Sequence, residues 1–106
     1  MASLYVAEYP HASVQQGTGV PVAFVPTTGA IAEQKLAIGG ISVAGVAFNK
    51  NTKLIRLHCD VTCSIAFGPV ATVTATANKA RMQGGQTEYF AAQPDGSMTV
   101  AVITNV

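Results

Sequence analysis

The stretch KLIRLHCDVTCSIAF, Lys53 to Phe67, decides the fold class. From Ile55 onward every odd position is apolar or a thiol: Ile55, Leu57, Cys59, Val61, Cys63, Ile65 and Phe67. The even positions hold Arg56, His58, Asp60, Thr62, Ser64 and Ala66. Alternation with period two sends one set to a core face and the other toward solvent or a partner. A helix would scatter the odd set around its whole circumference. The segment is therefore β structure, either one long strand or two strands broken near Asp60.

Composition agrees. Val, Ile and Thr number 30 of 106 residues, against 7 for Leu and Met together. β-branched side chains suit a pleated surface, whereas Leu and Met would signal helices. The length predicts one domain over 1–106, able to bury roughly 65% of its unfolded surface. Charged residues are only 10% of the chain and the net charge is +1. Such a surface must be mostly Thr, Ser, Gln, Gly and Ala, and it is weakly defended against association. Phosphate binding needs concentrated Lys and Arg, so nucleic acid is not expected as the main ligand. No Lys or Arg precedes Lys35, so a signal-peptide n-region is not expected. No apolar run approaches the ~20 residues of a membrane span.

Outward from the alternating segment, turn signals divide the chain into about eight short strands. Leu4 to Ala7 is the first. Pro10 to Gly19 reads as a polar loop that leaves His11 exposed. Val20 to Val25 is a strand whose flanking prolines favour an edge, and Thr27-Thr28-Gly29 is a turn. Ala30 to Ile38 carries helix formers, yet the alternation of Gln34, Leu36 and Ile38 with Lys35 and Ala37 favours a strand. Ile41 to Phe48 is a strand with Gly45 as a bulge, followed by a turn at Asn49-Lys50-Asn51-Thr52. Val70 to Asn78 is an extended loop or weak strand. Ala80 to Met82 pairs briefly, and Gly84-Gly85 turns the chain into a strand over Gln86 to Ala92. Gln93-Pro94-Asp95-Gly96 fits a type I turn. Ser97 to Thr104 closes the fold, with Met98, Val100 and Val102 on one face. Short strands with frequent turns predict an all-β, antiparallel β-sandwich or jelly roll.

Three segments together resemble a known group: SVAGVAFNKNTKLIRLHCDVTCSIAFG (Ser42–Gly68), KARMQGGQTEYFAAQPDG (Lys79–Gly96) and SMTVAVIT (Ser97–Thr104). An alternating strand ending in "IAFG", an Ala/Thr loop, "RM", "EYF", a Pro-Gly turn and a closing "VAVI" resemble small virion structural proteins of tailed bacteriophages. Some jelly-roll members of phage heads are capsid cement or decoration proteins. The resemblance covers Ser42 to Val106, carries no catalytic signature and transfers no site residues. It implies a non-enzymatic sandwich without cofactors, made in the host bacterial cytoplasm and placed on the outer capsid surface. The implied partners are the phage major capsid protein and its own copies, as a dimer or trimer. No small-molecule substrate, nucleic acid or membrane partner is implied. The segment 1–26 lies outside this pattern and is expected to supply an N-terminal arm and edge strands. A carbohydrate- or receptor-binding module of a tail or head fibre is the alternative. It is disfavoured by the lack of Trp, with Tyr5, Tyr9 and Tyr89 the only tyrosines.

In one straight strand Cys59 and Cys63 would stand ~13 Å apart, beyond the ~4.4–6.8 Å Cα range of a disulfide. A tight turn at Asp60-Val61-Thr62 would instead let them face each other. The resemblance implies a reducing compartment, so free buried thiols are expected over a disulfide or a metal site. His58 and Asp60 lie on one face without a nucleophile positioned for a dyad, and Ser64 has no nucleophile elbow. Lys50, Lys53 and Arg56 cluster, and Lys79 with Arg81 add two more cations. They either meet an acidic partner surface or serve ordinary solvation and edge protection. Tyr89 and Phe90 point opposite ways, with Phe90 expected in the core. The candidate partner-interface residues are Tyr5, Tyr9, Arg56, His58, Lys79, Arg81 and Tyr89, with no catalytic, cofactor or metal residue among them.

Overall fold

The alternating segment takes the broken form. One strand runs from Leu54 to Cys59, a second from Cys63 to Pro69, and they lie in opposite sheets. Asp60-Val61-Thr62 is the corner between them, and its bonds hold it in place. The Asp60 N–H donates to the Ser3 carbonyl at 3.1 Å, and Asp60 Oδ2 accepts from the Ser3 N–H at 3.1 Å. The Thr62 carbonyl accepts from the Asn105 N–H at 3.1 Å, and Thr62 Oγ1 accepts from the Gly84 N–H at 3.3 Å.

The computed structural model describes residues 2–10, 12–14, 21–23 and 30–105, with backbone pairing alone for 12–14 and 21–23. In chain order the strands are β1 Ser3–Tyr9, β2 Ala12–Val14, β3 Pro21–Ala23, β4 Ala32–Ala37 and β5 Val43–Ala44. The remainder are β6 Leu54–Cys59, β7 Cys63–Pro69, β8 Ala80–Met82, β9 Thr87–Ala91 and β10 Met98–Thr104. Eight of them build two four-stranded antiparallel sheets, β4-β1-β6-β9 and β5-β10-β7-β8, while β2 and β3 pair as a separate ribbon. From β4 onward every connection crosses to the other sheet except β7 to β8. Two antiparallel sheets whose strands alternate in this way make a small β-sandwich. No helix occurs among the described residues.

The odd set of the long segment faces the core. Ile55, Leu57 and Cys59 of β6 join Leu4 and Val6 of β1 and Leu36 of β4, against Cys63 and Ile65 of β7 and Val100 and Val102 of β10. Each large aliphatic side chain buried there contributes about 1.5–3 kcal/mol. Phe48, Phe67 and Phe90 fill one end, with ring centroids 6.3 Å apart for the first pair and 5.0 Å, edge-on, for the second. Glu8, on the inward face of β1, is 2% exposed. Its Oε1 accepts from the Asn49 N–H and from Thr52 Oγ1, both at 2.8 Å. One carboxylate thus fastens the Asn49–Thr52 turn that feeds β6.

Several expectations are corrected. Ser3–Tyr9 is neither an arm nor an edge: β1 lies between β4 and β6 and buries Leu4 completely. The polar loop over Pro10–Gly19 contains β2. The rest of that loop, His11, the ends of the Val20–Val25 strand and the Thr27–Gly29 turn lie outside the described residues. Ile41–Phe48 pairs regularly only at Val43–Ala44. Beyond Ala44 the Gln34 amide takes both backbone groups of Val46, donating to its carbonyl at 3.2 Å and accepting from its N–H at 2.9 Å. A Cβ at Gly45 would stand 2.6 Å from Gln34 Oε1, so only glycine permits this approach. The reversal before β10 is closed by Asp95 rather than by a Gln93–Gly96 bond. Its Oδ1 accepts from the Ser97 N–H at 2.9 Å and the Ser97 hydroxyl at 2.6 Å, which holds its carboxyl below the usual range.

Candidate functional site, an open sheet face

The two outer faces of the sandwich differ. On the β5-β10-β7-β8 sheet, Ser64, Thr99 and Ala101 point away from the core and are nevertheless fully buried. The Val70–Lys79 loop folds back over them. The Ala75 N–H donates to Ser42 Oγ at 2.8 Å, and Val73 lies 3.3 Å from where a Gly68 Cβ would be. Asn105 Nδ2 donates to Ser64 Oγ at 2.7 Å and to the Ala77 carbonyl at 3.3 Å. The loop therefore roofs this sheet.

The outer face of β4-β1-β6-β9 keeps large side chains at the surface. Register places Lys35, Tyr5, His58 and Thr87 in one row across the four strands, and Glu33, Ala7, Arg56 and Tyr89 in the next. Tyr5 and Tyr89 are each 42% exposed, while Ala7 is only 9% exposed and forms a dip between them. The rows flank a groove of about 510 Å³ walled by Tyr5, Glu33, Lys35, Arg56 and His58, with Ala7 at its floor. Within the first row the groups support one another. Lys35 Nζ stands 6.0 Å from the Tyr5 ring centroid, and the Tyr5 and His58 rings are 6.4 Å apart at 44°. His58 Nδ1 and Thr87 Oγ1 share a hydrogen bond of 2.8 Å.

No family model, curated protein or solved structure matches this chain.

Of the seven candidate residues, the structure brings Tyr5, Arg56, His58 and Tyr89 onto this face. Tyr9, half-buried at the end of β1, points to the same side. Lys79 and Arg81 are exposed on the other sheet, at the edge formed by β8 and the loop before it. Glu33, Lys35 and Ala7 were missed. Alternation over Ala30–Ile38 sets Lys35 apart from Gln34, Leu36 and Ile38, but only the β4–β1 register shows that Glu33 and Lys35 stand beside Ala7 and Tyr5. His58, Asp60 and Ser64 form no joint set: His58 bonds Thr87, Asp60 bonds the Ser3 backbone, and Ser64 accepts from Asn105. Among the described residues no three His, Cys, Asp or Glu side chains stand together as metal ligands. Cys59 and Cys63 are buried free thiols that meet across the corner. Cys59 Sγ donates to the Gln83 carbonyl at 3.1 Å. Burial, with the neighbouring Cys59 thiol, pushes Cys63 up to about 12 from its ordinary 9.0. This face offers aromatic area, cations and one carboxylate on a rigid sheet, the chemistry of a protein contact surface.

Proposed function

We propose that this chain is a non-enzymatic structural protein of a phage virion, a capsid cement or decoration protein that bridges neighbouring major capsid protein subunits. The observation that carries the reading is the division of the candidate residues between two surfaces. Tyr5, Arg56, His58 and Tyr89 lie on one sheet, and Lys79 with Arg81 lies at the edge of the other. A bridging protein needs two contact surfaces, and the separation of these residues supports that reading. The resemblance of Ser42–Val106 to phage virion proteins supplies the partner.

The mechanism is mass action. A ligand that binds only the assembled shell stabilises it by RT ln(1 + [L]/Kd) per site. Symmetry repeats that gain, so each interface can be small. The protein would be made in the host cytoplasm and end on the outer capsid surface. The groove beside Tyr5 favours a second reading, a carbohydrate- or receptor-binding module on a tail or head fibre, because an exposed ring next to polar groups can stack on a sugar.

Cosedimentation with purified assembled heads and with free capsid subunits tests the proposal. Cement binds heads far better than subunits, because its site is split between neighbours. Heads lacking it assemble but break at lower temperature or on osmotic shock. Equal binding to heads and free subunits, or binding to glycans without binding to heads, would reject it.

A further inference from the structure

The two rows of the open face are complementary to each other. The first row reads Lys35, Tyr5, His58, Thr87 and the second Glu33, Ala7, Arg56, Tyr89, position by position along the same four strands. Lys35 stands two residues from Glu33 on β4, and the 42%-exposed Tyr5 stands two residues from the Ala7 dip on β1. Same-face neighbours along a strand are ~6.8 Å apart, so a half-step separates each row from a line at the level of Val6.

We propose that this face packs on the same face of a second copy, across a two-fold axis that lies in the interface and runs along the rows at Val6. That operation lays the first row of one copy on the second row of the other. Lys35 meets Glu33 of the second copy, opposite in charge. The Tyr5 ring drops into the dip over Ala7 of the second copy. Thr87 meets the Tyr89 ring, and the His58 ring lies on the planar Arg56 guanidinium, a surface that stacks on aromatic rings. Every contact occurs twice, as an isologous interface requires. Sheets packed face to face run within about 30° of each other, which antiparallel stacking of β1 on β1 allows.

Two other occupants fit less well. With the axis along β1 instead, Tyr5 would collide with Tyr5 and the two Ala7 dips would face each other as a void. A uniformly acidic partner would find Arg56 and Lys35 but would meet Glu33 at the groove wall. Four strands ~4.8 Å apart and five residues of ~3.4 Å give a face on the order of 300 Å² per copy. That is well below the ~800 Å² per partner of a stable complex, so the dimer forms only at high concentration. The inference uses the face that the virion reading gives to a capsid subunit, so a second copy and the shell compete for it. It is tested on the isolated protein, where its failure leaves the virion reading standing.

The test is sedimentation velocity from about 10 μM to about 1 mM, the range in which a weak dimer populates. The samples are the parent, Lys35→Glu, Glu33→Lys, the double exchange, and an equimolar mixture of the two single variants. Both positions are exposed on an edge strand. Their far-UV spectra and melts should therefore match the parent. The parent should shift from monomer toward dimer with concentration. Each single variant sets like charges opposite each other twice and should dimerise at least ~tenfold more weakly. The mixture should recover association as a heterodimer, and the double exchange should recover the homodimer. A parent that stays monomeric at ~1 mM, single variants that dimerise like the parent, or a mixture that does not recover would each overturn the proposal.

Discussion

Replacing Glu8 should destabilise the fold out of proportion to its exposure. The carboxylate is 2% exposed, and the Thr52 hydroxyl that donates to it at 2.8 Å is 0% exposed. Glu8→Ala removes a hydrogen bond to a charged acceptor, worth about 1.5–3 kcal/mol. It also strands the Thr52 hydroxyl where water does not reach, which costs about 1–3 kcal/mol. The Asn49 N–H loses the same acceptor, but Asn49 is exposed and water can replace it. Freeing the fold of a buried charge offsets part of this, so the net expectation is about 2–4 kcal/mol. For a domain of this size that is a fall in Tm of roughly 8–16 °C. Glu8→Gln keeps an acceptor oxygen and should cost only about 1 kcal/mol. Thr52→Val removes the donor, so Glu8→Ala with Thr52→Val should cost less than the two single changes added, because no orphaned hydroxyl remains. The assay is urea denaturation of the four variants and the parent. A Glu8→Ala protein within ~0.5 kcal/mol of the parent, or strict additivity in the cycle, would refute the claim that this carboxylate fastens the turn.

Leu57→Ala and Ile65→Ala, from facing sheets of one core, should each cost about 2–5 kcal/mol in a thermal or denaturant melt. Gly45→Ala should push the Gln34 amide off Val46 and cost about 1–2 kcal/mol. Combined with Gln34→Ala it should add almost nothing, since both changes remove the same two bonds. Both thiols should be alkylated only on unfolding, and intact mass of the denatured, unreduced protein should show two additions. Cys63 is raised in the fold, so the unfolded chain releases this proton first. Its contribution is complete below pH ~9 and declines as pH rises toward ~12. Cys63→Ala should therefore lose less stability than the parent between pH ~9 and ~11, measured by the shift in Tm.

The strand inventory was legible because period-two alternation is local: Ile55, Leu57 and Ile65 face the core as their spacing demands. The same regularity left a corner at Asp60 as one of two alternatives, because Cys59 and Cys63 keep the same parity whether the chain runs straight or folds back across the sandwich. What breaks it is bonding to Ser3 and Asn105, residues far away in sequence. Ile41–Phe48 looked like one strand for a similar reason. Its apolar pattern is real, and Gly45 and Phe48 still donate to Val100 and Met98 of β10. Between them Gln34 takes the backbone of Val46, so the segment bulges as Gly45 suggests instead of pairing regularly. The strand at Leu4–Ala7 is legible in the sequence, but its place is not: an arm and edge strands are expected over 1–26, and only register shows β1 between β4 and β6. The candidate face was half legible. Tyr5, Arg56, His58 and Tyr89 could be chosen by residue type, but their convergence with Glu33, Lys35 and Ala7 is a property of strand order. Lys79 and Arg81, chosen on the same grounds, lie on the other sheet.

The proposed role in the virion is tested most directly by finding whether the genome that carries this chain yields phage particles and counting the protein in them, by quantitative mass spectrometry against the major capsid protein. Capsid cement repeats with the lattice, so the expected result is hundreds of copies per particle, in a fixed ratio to capsid subunits and retained on heads stripped of tails. A few tens of copies or fewer, lost with the tail, would contradict the cement reading and favour a fibre module. Absence from the particle would remove the virion role altogether.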